Sequence, residues 1–178
     1  MSTNLWSRLS RIGVAVAGLL LTGCFQSEQP KFPLAGAAAP FGDGGRYVLY
    51  DRVAEDRYQR QGVIAVKRRP DGAYDLVNEK GEVLTISLHP VGGDRFAGQA
   101  AEQKEKDKTT YSYVVFRVTS DEAVLYLPQC DKQDKGLLTA HGVELIGKFE
   151  CFIDRVADPA GLFKQVELGE PISKLVRE

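Results

Sequence analysis

The chain has 178 residues, 26% of them charged, with a formal net charge of −1. That length fits one domain with a leader or tether. So small an acidic surplus leaves no electrostatic footprint for general nucleic-acid binding. Three cysteines and two histidines supply few groups for metal or nucleophile chemistry.

Arg8 and Arg11 form a short positive segment without an acidic neighbour, followed by the uncharged run IGVAVAGLLL from Ile12 to Leu21. About ten residues cannot span ~30 Å of hydrocarbon as a permanent helix, but they match the apolar stretch of a secretory signal. The run ends in Leu21-Thr22-Gly23-Cys24, a leucine and two small residues before a cysteine. This order and spacing resembles the lipobox of bacterial lipoproteins, and the resemblance covers the first 24 residues. It implies that the Cys24 thiol receives a diacylglyceryl group, that signal peptidase II cuts before it, and that the new amine is acylated. A thiol suits this role because it is partly ionised near neutral pH, where a serine hydroxyl is not. Residues 1–23 are then a signal peptide, and the mature chain has 155 residues and a formal charge of −3. More than one acyl chain makes anchoring stable where a single chain binds marginally. Phe25 follows the cysteine, where an aspartate retains enteric lipoproteins in the inner membrane. The resemblance therefore implies an outer-membrane lipoprotein facing the periplasm.

Residues 24–45 read as the lipidated cysteine and a flexible linker. Pro30, Pro33 and Pro40 deny helix and ladder hydrogen bonds, and glycines recur towards the end. Such a coil would span about 25 Å. A minor alternative has Phe25, Phe32, Leu34 and Phe41 dipping into the lipid interface or docking on the domain.

Residues 46–178 read as one β-rich periplasmic domain. Apolar runs at 46–53, 62–69, 73–78, 82–90, 95–102, 109–119 and 123–128 are separated by turn signals, with Asp71-Gly72 a strong hairpin turn. Within 109–119, Ser112, Val114, Phe116 and Val118 alternate with Tyr111, Tyr113, Val115 and Arg117. Gly98 inside its strand suggests a bulge or bend. Later segments predict a short helix over 131–140 stopping near Gly142, and a strand over 148–156. A helix capped by Asp158 with Pro159 at its first position follows, then an edge strand over PISKLVRE. The expected fold is mostly β: a single antiparallel meander of about six to eight strands, strongly curved or partly closed into a barrel. One or two short helices are expected near the C-terminus.

Cys130 and Cys151 are the remaining cysteines of an exported chain, and a disulfide is the leading reading. A metal site using them with His141 and Asp131 lacks the close cysteine spacing of common zinc sites. No metal or other cofactor is expected. His89 and His141 sit at strand and helix ends, Asp154 and Asp158 fit a strand end and a helix cap, and no nucleophile elbow or phosphate loop occurs. An enzyme is therefore not expected. Segment 46–69 carries seven basic and three acidic residues. Arg52, Arg57, Arg60, Lys67, Arg68 and Arg69 offer contact with anionic envelope material, against the plainer reading of a solvated hairpin rim. Six tyrosines (47, 50, 74, 111, 113 and 126) are candidates for a ligand groove but suit ordinary strand packing better.

The expected function is a membrane-anchored envelope lipoprotein acting as a non-enzymatic interaction or assembly module. Its partners would be the membrane, through lipid on Cys24, and an envelope protein or lipid. Two alternatives are a carrier of lipid or a small apolar ligand in a curled sheet, and an inhibitor of an envelope-degrading hydrolase.

Overall fold

A computed structural model describes residues 25–105, 108–147 and 149–178. Cys24 and the signal segment lie outside the described residues. Eleven strands form one sheet: β1 Phe25–Ser27, β2 Gly44–Ala54, β3 Arg57–Arg68, β4 Tyr74–Asn78, β5 Val83–Gly92, β6 Arg95–Glu105, β7 Lys108–Val118, β8 Glu122–Tyr126, β9 Glu144–Ile146, β10 Glu150–Phe152 and β11 Pro171–Arg177. Two short helices, α1 Lys135–Ala140 and α2 Pro159–Gln165, lie between β8 and β11.

Eight of these strands close a barrel. β2 to β8 pair in succession as antiparallel neighbours, and β11 pairs with both β8 and β2. The last strand is thus not the edge expected from the sequence. It is the stave that removes the barrel's open edges, inserted after a long excursion through both helices. Its Lys174 reaches Glu122 at 3.2 Å and lies over the Tyr58 ring at 4.8 Å.

Alternation fills the barrel as the strand pattern foretells. Val114 and Phe116 of β7 pack inside with Ile86, Leu88, Tyr47, Leu49, Ile64 and Leu175. Each such buried side chain contributes about 1.5–3 kcal/mol relative to exposure. Gly98 sits in regular register between Leu88 and Val114, so the expected bulge is absent there. Its reason is lack of room: an added Cβ would stand 2.7 Å from Ile86 Cδ1 and 2.9 Å from Val114 Cγ2. At the β3–β4 turn Gly72 adopts φ +91°, in keeping with the Asp-Gly signal.

The outer face of part of the sheet is buried too. Val91, Ala97, Tyr113 and Val115 form a second core with Phe25, Phe32, Leu138, Leu162, Phe163 and the two cysteines. Here the segment read as a flexible linker is corrected. β1 pairs antiparallel with β7 at residues 111–113 and parallel with β10. Phe25, Phe32 and Phe41 are buried, Phe41 inside the barrel, while Leu34 stays half exposed. Prolines and glycines mark a segment without regular hydrogen bonding, but three aromatic rings among them supply enough apolar area to hold it down.

The strand expected over 148–156 is shorter, and β9 had no sequence signal. β9 and β10 form a small hairpin at the outer edge of β1.

Candidate functional site: the buried start of the fold

β1 lies within the outer core. Phe25 is fully buried, with its ring centroid 5.5 Å from that of Phe163 on α2. Its strand partners are Tyr113 on β7 and Cys151 on β10. Cys151 and Cys130 stand at disulfide geometry, with sulfurs 1.98 Å and Cα atoms 5.7 Å apart. This pair ties the turn before α1 to the strand that flanks β1, matching the sequence expectation for the two cysteines.

A polar clamp holds the segment after β1. Tyr113 presents its hydroxyl to Ser27 Oγ at 2.6 Å and accepts the Lys31 backbone N–H at 3.1 Å. Gln99 Oε1 accepts the N–H groups of Lys31 and Phe32 at 2.8 and 3.0 Å, and Gln99 Nε2 donates to the Phe32 carbonyl at 3.0 Å. Asp154 accepts the Glu28 N–H at 2.9 Å, and Lys31 Nζ donates to the Asp154 carbonyl at 2.9 Å. Burial pushes the Tyr113 hydroxyl up to about 12, so it stays protonated and able to donate. His89 stacks on Phe32 with centroids 4.8 Å apart, and its Nε2 lies 2.9 Å from Ser87 Oγ. Burial lowers the His89 pKa, which keeps the stacked ring neutral.

The other residues singled out from the sequence fall into structural roles. Asp158 caps α2 by accepting the Gly161 N–H at 2.9 Å. Asp134, rather than a residue near 131, caps α1 by accepting the Leu137 N–H at 2.8 Å. His141 ends α1, and its ring meets Gln165 of α2 at 3.1 Å.

The basic residues are not brought together. Arg57 and Lys67 lie at opposite ends of β3, ten residues and roughly 30 Å apart. Arg52 pairs with Glu170 across the barrel rim. Arg69 bridges Asp71 and Asp75 at 3.2 and 3.4 Å. Arg57, Arg60, Lys67 and Arg68 are exposed. The sequence surplus is therefore split into two rims, each partly neutralised, rather than one anionic-contact patch.

One end of the barrel interior is polar. Asp51 and Ser173 are cross-strand partners on the face that carries Leu49 and Leu175. Ser112 shares its face with Val114 and Phe116, and Asp51 Oδ1 and Ser112 Oγ are buried without a hydrogen-bond partner. Burial raises the Asp51 pKa. No sequence signal beyond strand alternation marked these groups.

Open clefts flank this architecture among the described residues. One of about 490 Å³ lies between Arg52, Leu127, Lys132 and Pro171. Another, of about 450 Å³, runs beside the N-terminal segment past Phe32, Gln99 and Tyr111. Among the described residues, no group of three or more His, Cys, Asp or Glu side chains is placed to hold a metal, and no helix is long and apolar enough to cross a membrane. No family model, curated protein or solved structure matches the chain.

Proposed function

We propose that this protein is an envelope lipoprotein, lipidated on Cys24, whose barrel serves as a non-enzymatic interaction or assembly module at the membrane surface. The observation that carries the reading is the junction itself. A lipobox ends at Cys24, and the next residue, Phe25, is fully buried in β1. Adjacent Cα atoms are ~3.8 Å apart, so an acylated Cys24 holds the barrel close against the bilayer instead of on a long tether. Phe25 in the position after the cysteine favours the outer membrane, with the barrel facing the periplasm.

The environments that look chemically special are structural. Tyr113, Gln99 and His89 secure the segment that follows β1. That leaves interaction, with an envelope protein or lipid, as the activity best matched to the surface. Around Gly98 the barrel interior is filled tightly enough that an added Cβ would clash with Ile86 and Val114, so a carrier of an apolar ligand finds no room at that level.

The test is Cys24→Ser followed by membrane fractionation of the full-length chain. The reading expects the wild-type protein in the membrane fraction and the variant soluble or unprocessed. A variant that has lost its signal segment and still fractionates with the membrane as fully as the wild type overturns it.

A further inference from the structure

Six large apolar side chains are exposed among the described residues, and three of them fall within one hairpin. Leu145 and Ile146 of β9 are 50% and 44% exposed, and Phe149 in the turn before β10 is 56% exposed. The others, Leu34, Val53 and Val83, belong to three separate segments.

Strand register places this tip beside the start of the fold. β1 runs parallel to β10, with Phe25 opposite Cys151, and Cys151 is opposite Leu145 on β9. Phe25, Cys151 and Leu145 thus form a row across three strands. At ~4.8 Å between neighbours, the Leu145 backbone lies about 10 Å from that of Phe25. Because β1 and β10 are parallel, the chain before Phe25 joins the sheet from the end where the hairpin turns.

We infer that the β9–β10 tip is a second membrane contact, with Leu145, Ile146 and Phe149 seated in the lipid interface beside the acyl chains on Cys24. This rests on the lipid-anchored reading above. An anchor on residue 24 fixes that side of the barrel at headgroup depth, where large apolar side chains exchange water for acyl chain. The flanking Glu144 and Glu150 are exposed, and with Lys148 they leave residues 144–150 one charge negative. Attraction to anionic headgroups therefore does not drive the contact, and the lipid recognised is defined by its apolar interface rather than its charge. Three side chains also fall far short of the ~800 Å² per partner of a stable protein interface, which favours a bilayer over a second copy.

The test uses Phe149→Trp in the full-length chain. Trp6 is the sole tryptophan of the sequence and lies in the signal segment, so the processed protein carries one reporter. The processed protein, its lipid adduct read by mass, is placed in phosphatidylethanolamine–phosphatidylglycerol vesicles with and without brominated acyl chains. The expected result is blue-shifted emission quenched by the brominated chains, equal in pure phosphatidylcholine, and weakened by adding Leu145→Ser and Ile146→Ser. Water-like, unquenched emission from a lipidated chain overturns this inference and leaves the anchor standing. Blue-shifted, unquenched emission that grows with protein concentration assigns the tip to a second copy and also overturns it. An absent adduct overturns the anchored reading and this inference together.

Discussion

The Gln99 side-chain amide accepts two backbone N–H groups and donates to one backbone carbonyl, all from residues 67 or 68 positions earlier in the chain. Gln99→Ala leaves the buried Phe32 N–H and carbonyl without these partners, while the Lys31 N–H keeps Tyr113. The expected loss is about 2–4 kcal/mol, read as a lower urea midpoint, and an unchanged midpoint contradicts the clamp. His89 gives the clamp a pH dependence. Its folded pKa is lowered by burial, so the unfolded chain binds the proton more readily. Stability is complete above the ordinary histidine value of about 6.5 and falls as pH drops from there towards the folded value. His89→Gln is expected to flatten that slope in unfolding measurements between neutral and mildly acid pH. Neither residue announced this role in sequence. Its partners lie far away along the chain, and a glutamine or histidine within a strand has no local pattern that reveals what it meets.

Strands with strict alternation were legible because one face of each lies inside the barrel. β7 follows the pattern residue for residue: Val114 and Phe116 point inside, and Tyr113 and Val115 join the outer core. The first part of β3 was not legible, since Arg57 to Gln61 is polar and mostly exposed and carries no apolar period. Gly98 was noticed for the wrong reason. Close packing, not a bulge, excludes a side chain, and Gly98→Val is expected to cost about 1–3 kcal/mol by overpacking. A thermal melt checks this, and a variant as stable as the wild type would mean that the interior yields. The cysteine pair was legible from count and the expected export, and Cys151 was expected on a strand; that this strand pairs with β1 was not legible. The bond spans 21 residues, and the loop-closure model assigns about 3 kcal/mol to a loop of that size. Cys130→Ser with Cys151→Ser is expected to lose stability of that order and to speed amide exchange in β1, which pairs directly with β10. Unaltered exchange at Gln26 and Ser27 would separate the disulfide from the anchor end.

At the scale of the whole molecule, a closed eight-stranded barrel carries an outer cap made of α1, α2, the β9–β10 hairpin and the N-terminal segment. Fold class was readable because turn signals and alternation are local. Closure was not, because β11 returns to β2 and β8 after an insertion whose length says nothing about its destination. The linker expectation failed for a related reason: prolines and glycines masked the short strand at Phe25–Ser27, and only the assembled outer core shows where Phe25 and Phe32 bind. For a chain lipidated on Cys24, as proposed, the consequence is a barrel joined to its anchor without slack. Limited trypsin treatment of intact membranes, followed by denaturation and mass measurement of the chain, tests this most directly. The account expects a mature chain beginning at lipidated Cys24 and uncut after Lys31, whose backbone N–H is held by Gln99 and Tyr113. A chain lacking the lipid, or one cut after Lys31 as fast as a denatured chain, would contradict it.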